Sequence, residues 1–277
     1  MEWRDKHVLV TGGSSGTGLA AAEILAARGA RVSLLARDET RLAVACARVE
    51  AASNGSGGRV QPAIADVADW SQMTAALDSA TAEFGPVDVL LACAGYCTPR
   101  AFVEASAEEL RGQVETNLMG TIHAARAVAP SMIERGSGHI LLISSMGGII
   151  GVYGYGGYSP SKFGVIGLAE VLRSELKPHG IGVTVLCPPN IDSPGYAREV
   201  AMEPAETAKI NGGAKAMSPE DAAKRMLRAV ERNEFMVVPG VGNSLMSKIK
   251  GIAPWLVYAV VDQNIASVRK GESRDAE

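Results

Sequence analysis

Aromatic side chains make up only 5% of this 277-residue chain, which leaves little surface for stacking nucleic-acid bases. An excess of one charge is also lacking. With 27 Lys and Arg against 30 Asp and Glu, no strongly basic domain is available to hold a phosphate backbone, and no nucleic-acid partner is expected. Cysteine is sparse too: Cys46, Cys93, Cys97 and Cys187 show no zinc-site spacing, and a chain that is 47% hydrophobic needs no disulfide framework. They read as thiols of a reducing cytoplasm. The four histidines form no HExxH pair, and no metal site is expected. The opening MEWRDKHVLVTGG lacks the apolar core of a signal peptide. No apolar run reaches the length of about 18 residues that a spanning helix needs. The nearest candidate, 251–261, contains Pro254 and Trp255 and follows Lys248 and Lys250. It fits either a core or subunit-contact helix, or an interfacial membrane contact. The charged residues 269–277 beyond it are expected to fray.

What the chain has in abundance is a rhythm. Short apolar runs at 7–10, 31–35, 60–65, 87–91, 139–143, 181–186 and 235–238 read as strands. Helical patterns at 19–28, 40–52, 70–84, 107–135, 158–177 and 219–232 separate them, the 107–135 stretch as one or two helices. Apolar strands alternating with helices predict a mostly parallel seven-stranded sheet with helices on both faces, a single doubly wound Rossmann-type α/β domain. That domain is expected over 1–250, with a C-terminal apolar segment and charged tail over 251–277. The least regular stretch, 188–217, follows a strand's carboxyl end, where open α/β sheets bind ligands, and is read as a substrate lid.

Strand one runs into Thr11-Gly12-Gly13-Ser14-Ser15-Gly16-Thr17-Gly18, and a helical pattern follows. Glycines let backbone approach a pyrophosphate, while a helix start offers free N–H groups and the positive end of its dipole. Strand two ends in Leu35-Ala36-Arg37-Asp38. A guanidinium at Arg37 could hold a 2′-phosphate, favouring NADPH. Asp38 leaves the competing reading, an acid bonding the ribose hydroxyl of NADH. Tyr158 and Lys162 stand four apart, so phenol and ammonium share one helix face. A nearby ammonium is expected to lower the Tyr158 pKa from its usual value near 10. Pro160 fits only the first turn of that helix, placing Tyr158 at its start.

The TGxxxGxG loop, Ser145 placed 13 residues before Tyr158, the Tyr158–Lys162 pair and Asn117 in Glu115-Thr116-Asn117-Leu118-Met119-Gly120 together resemble the short-chain dehydrogenase/reductase family. The resemblance spans about residues 5 to 240. It implies carbonyl/alcohol interconversion in which Tyr158 donates the proton, Ser145 stabilises the oxygen and Lys162 holds the nicotinamide ribose. Asn117 would position Lys162 and a proton-relay water. Gly12, Ser14, Ser15, Gly16 and Gly18 would hold the dinucleotide phosphates, and Asp66-Val67 its adenine. Ala94-Gly95 would form a turn beside the cofactor. The family usually places Asn in that turn, where this chain has Ala92 and Cys93. Pro188, Ile191 and Ser193 would flank the nicotinamide, with Ser193 taking the place of a Thr. The segment Pro188-Pro189-Asn190-Ile191-Asp192-Ser193-Pro194-Gly195-Tyr196 looks like the one in the 3-ketodihydrosphingosine reductases of this family. That points to reduction of this sphingoid ketone, and the apolar Ile191, Tyr196, Val200, Met202 and Ile210 suit a long acyl chain. Other long-chain ketones (a 3-oxoacyl thioester, a steroid, a polyketide) remain open, as does an NADP(H)-binding regulatory protein on the same fold. The resemblance further implies a homodimer or homotetramer through the helices around 107–135 and 158–177, in the cytoplasm or peripheral on a membrane through 251–261.

Overall fold

The computed structural model describes residues 2–212 and 216–275. Seven strands form one parallel sheet in the order β3-β2-β1-β4-β5-β6-β7. They are β1 (His7–Thr11), β2 (Arg31–Ala36), β3 (Arg59–Ile64), β4 (Val89–Ala92), β5 (Gly138–Ile143), β6 (Ile181–Leu186) and β7 (Met236–Val237). Strand residues alternate between faces, and both faces are covered. Val8, Val10, Val32 and Leu34 pack under α1 (Gly16–Ala27), α2 (Glu39–Ser53) and α9 (Pro219–Glu231). Leu9, Leu35, Leu90 and Ile140 pack under α3 (Trp70–Phe84), α5 (Gly120–Arg135) and α6 (Tyr158–Leu176). Burial on both sides is why the central strands β1, β4 and β5 carry apolar runs instead of an alternating pattern.

Side-chain caps fix where several helices start. Asp38 accepts from Arg41 N at the head of α2, and Asp69 accepts from Ser71 N and Gln72 N at the head of α3. Ser106 and Glu109 form a capping box on α4 (Ala107–Val114). The long pattern over 107–135 resolves into α4, one π-helical turn (Glu115–Met119) and α5. The extra residue per turn there swings Asn117 inward, where it is fully buried.

The least regular stretch contains more order than its Pro, Gly and Asn content suggests. It holds α7 (Pro194–Val200) and α8 (Ala205–Asn211), and Ile191 forms a parallel bridge with Met217. Residues 213–215 of the expected lid lie outside the described residues. At the C-terminus the structure departs from expectation. Helix α10 (Val241–Ile252) spans the expected boundary at 250. Ala253 breaks it and Pro254 starts α11 (Pro254–Asp275), which packs on α10 and α8. The charged tail expected to fray therefore continues α11 as far as Asp275, and residues 276–277 lie outside the described residues. Among the described residues no helix is long and apolar enough to cross a membrane.

One buried pair ties the sheet's far side together. His139 on β5 bonds Thr184 Oγ1 on β6 at 2.8 Å, and the Thr184 hydroxyl donates to Glu234 O at 2.7 Å. That assigns Nε2–H to His139 as donor. Burial lowers the His139 pKa from 6.5 to about 4. The folded state thus binds fewer protons than the unfolded chain. The stability is complete above pH 6.5 and is lost as pH falls toward 4. Between pH 7 and 5 this histidine should remove about 2 kcal/mol of unfolding free energy. Urea titrations of wild type and His139→Gln check it: the variant's stability should fall less steeply, and identical slopes would refute the assignment.

Candidate active site

The carboxyl ends of β1, β2, β4, β5 and β6 open onto one cleft of about 880 Å³. Gly12, Ser14, Ser15, Gly16, Gly18, Arg37, Asp66, Val67, Ala94, Gly95, Ser145, Tyr158, Lys162, Pro188, Ile191 and Ser193 all line it. Asn117 alone of the expected site residues does not.

At the β1 end, the loop into α1 comes close to its neighbour. A Cβ on Gly12, whose φ is +66°, would sit 2.8 Å from the Ala94 backbone, and one on Gly18 would sit 2.7 Å from Gly12 O. Ser15 begins α1 without a side-chain cap, unlike the heads of α2, α3 and α4. A helix start left uncapped inside a cleft, next to glycines that no side chain could replace, fits a dinucleotide pyrophosphate. Arg37 stands at the β2 end with its side chain mostly exposed, 3.3 Å from Asp66 Oδ2. Asp38 is committed to capping α2 through Arg41 N. Both Arg37 and Asp38 line the cleft, with Asp38 Oδ1 engaged in the cap. Arg41, which the sequence reading passed over, also lines the cleft. Its place four residues after Arg37 was the available signal.

The catalytic group forms where β5 meets α6. Tyr158 is the first residue of α6 and Pro160 falls in its first turn, as expected. Ser145 Oγ accepts from Gly147 N at 3.0 Å and pairs with the Tyr158 side chain. Lys162 is buried, and its Nζ donates to Ile143 O at 2.9 Å, with the Tyr158 ring centroid 5.7 Å away. Burial lowers the Lys162 pKa to about 8. The expected lowering of the Tyr158 pKa is corrected here. Burial, and after it the charge of Glu199, raise it, while the bond to Ser145 opposes them. A buried ammonium held by a carbonyl does not offset the cost of a phenolate in that environment. Tyr158 is therefore held as the neutral phenol, the form able to donate a proton.

Asn117 stands one layer behind. Its Oδ1 accepts from Tyr96 N at 2.9 Å, and its Nδ2 donates to Tyr96 O at 2.9 Å and Ser161 Oγ at 3.1 Å. It bonds the loop after β4 to α6, with no direct hydrogen bond to Lys162 among the described residues. The two groups meet across Gly95, where a Cβ would lie 3.0 Å from Asn117 Oδ1 and 3.2 Å from Lys162 Nζ. Ser193 caps α7 by accepting from Tyr196 N at 3.2 Å, and its Cβ lies 3.6 Å from the position a Gly16 Cβ would take. Ser193 of the lid thus lies close to Gly16 of the phosphate loop.

Other lining residues were invisible to motif reading. Glu199 comes from α7 and Tyr155 from the loop before α6, while Met246 and Val257 come from α10 and α11. No local pattern marks them, because only tertiary packing brings them to the cleft.

Comparisons with known proteins give a consistent picture. The profile of the short chain dehydrogenase family matches residues 6–204. A 3-dehydrosphinganine reductase from Danio rerio is 38% identical over 250 residues, covering 90% of this chain and 75% of that protein. A 3-dehydrosphinganine reductase from Arabidopsis thaliana is 36% identical over 266 residues, covering 93% and 79%. Among solved structures, a short-chain dehydrogenase from Sphingobium yanoikuyae in complex with NADPH superposes with a TM-score of 0.75 at 27% identity, covering 95% of each chain.

Proposed function

The chain belongs to the short-chain dehydrogenase family, and on that footing we propose that it is an NADPH-dependent reductase of 3-ketodihydrosphingosine (3-dehydrosphinganine). The carrying observation is the lining of the cleft beyond its reacting end. Met202 and Ile210 of the lid and Met246, Val257, Val260 and Val261 of α10–α11 line the same cavity as Tyr158. A polar reacting end continuing into an apolar wall suits a ketone on a long acyl chain. The relatives named for this ketone span nine-tenths of the chain and support the same reading.

In this reading the bound dinucleotide supplies the hydride to the carbonyl carbon. The Tyr158 hydroxyl donates its proton to the developing alkoxide, and Ser145 Oγ hydrogen-bonds the same oxygen, spreading its charge. Lys162 serves the ribose side of the cleft. Arg37 holds the adenosine 2′-phosphate, and Asp66 and Val67 lie along the adenine. The phosphate-loop glycines and Ser14 and Ser15 hold the pyrophosphate, while Pro188, Ile191 and Ser193 flank the nicotinamide. Asn117 acts at one remove, by fixing the loop that carries Tyr96.

A lipid ketone must reach this cleft from a membrane. Trp255, Leu256, Tyr258 and Ile252 are exposed at the α10–α11 junction, beside Lys250. Apolar and aromatic side chains next to a lysine support peripheral docking there. Exposed Phe163 and Val171 on α6 support a homo-oligomer joined through that helix, and four free cysteines support residence on the reducing, cytoplasmic side.

Purified protein in detergent micelles should oxidise NADPH with 3-ketodihydrosphingosine, and much more slowly with a short-chain 3-oxoacyl thioester. Turnover of the thioester alone would discard the sphingoid reading and keep the reductase. Binding of NADPH without turnover of any ketone would favour a regulatory role. Tyr158→Phe should lower kcat roughly 10²- to 10⁴-fold with NADPH affinity intact; retained activity would overturn the mechanism. Arg37→Ala should cost roughly 10-fold or more in NADPH affinity, read by nucleotide fluorescence, and leave NADH nearly unchanged. Equal effects on both nucleotides would remove Arg37 from the 2′-phosphate.

A further inference from the structure

Helix α7 carries a carboxylate that the reduction itself does not need. Glu199 is half-buried and lines the cleft together with Tyr158, Ser145, Tyr155 and Cys97. The Cys97 thiol, a weak donor, and the Lys162 ammonium favour the charged form of Glu199. Among the described residues no Lys or Arg nitrogen lies within ion-pair distance of it. A second carboxylate, Glu203, sits behind: its Oε2 accepts from Asn211 Nδ2 at 3.1 Å, and that amide reaches Tyr155 Oη at 3.3 Å. Burial and the Glu203 charge raise the Glu199 pKa, and the charge of Glu199 in turn raises the proton affinities of Tyr155 and Tyr158. Glu199 is thus within electrostatic reach of the proton donor.

For a neutral ketone this arrangement is a liability. A half-buried carboxylate with no ion-pair partner, only the Lys162 ammonium acting on it from beyond ion-pair distance, costs free energy, and its charge opposes negative charge developing near Tyr158. The cost vanishes if the ligand brings a positive charge of its own next to the carbonyl. 3-Ketodihydrosphingosine does so, because its protonated amine sits on the carbon adjacent to the ketone. We propose that Glu199, backed by Glu203, receives that ammonium and makes the cleft selective for an α-amino ketone over ketones lacking the amine. This inference rests on the proposed substrate and deepens it. Pairing also cancels the charge that opposes the alkoxide, so the residue that binds the correct substrate penalises the wrong one. Long-chain 3-oxoacyl thioesters and steroids carry no such cation and leave Glu199 unpaired.

The test compares kcat/KM for 3-ketodihydrosphingosine and its deaminated analogue of equal chain length, in micelles with saturating NADPH. Wild type should prefer the amino ketone. Glu199→Gln should cut that preference roughly 10- to 100-fold, chiefly through KM, and Glu199→Asp should keep most of it. NADPH fluorescence titration establishes that each variant is folded. An unchanged preference in Glu199→Gln, or equal losses on both ketones, would overturn the assignment and leave the substrate reading standing. A wild type that does not reduce the amino ketone removes the substrate reading, and this inference with it. If Glu199→Gln does not fold, the wild-type ratio decides: parity between the two ketones overturns the proposal.

Discussion

A parallel sheet sends every strand's carboxyl end to the same edge, and the chemistry of this protein depends on that geometry. Thr11, Ala36, Ala92, Ile143 and Leu186 end five strands that are far apart in sequence, yet the residues that follow them line one cleft. The sheet can hold this arrangement because its faces are sealed by helices, with Leu9, Leu90 and Ile140 packed on one side and Val8, Val10 and Leu34 on the other. Close packing turns the edge into a rigid frame, so loops with no regular structure of their own acquire fixed positions.

Electrostatics inside the cleft follow from burial more than from pairing. Lys162 is drawn into the protein, where it donates to Ile143 O, and burial weakens its hold on a proton. Tyr158, nearby, is kept protonated by the same desolvation. A neutral phenol bonded to Ser145 is prepared to give a proton, which is the direction a reductase needs. Asn117 reaches the site only through Tyr96 and Ser161, so its influence is on shape.

The lid links the two ends of the substrate problem. Ser193 lies close to the phosphate-loop Gly16, α7 brings Glu199 to the cleft that Tyr158 lines, and α8 packs against α11. One short segment therefore meets the cofactor side, the reacting centre and the apolar wall. A long acyl chain in that wall and a charged head at Glu199 would be sensed by the same element.

The sequence alone determined the sheet, most helices and the residues at the strand ends. Apolar runs, caps and the Gly-rich turn are local signals: Trp70–Phe84 and Ile181–Leu186 fall where periodicity put them, and Tyr158 opens its helix where Pro160 required. The i to i+4 spacing likewise put Tyr158 and Lys162 on one face without any knowledge of the fold. The tertiary structure decided what depends on distant neighbours. It raised the Tyr158 pKa where spacing to Lys162 suggested lowering, because desolvation is set by everything packed around a group. It ordered α7 and α8, only seven residues each and too short to show periodicity, by laying them over the cleft. It also brought Met246, Val257 and Glu199 to a site whose motifs end before them, since side chains far apart in the chain become neighbours only when the core closes.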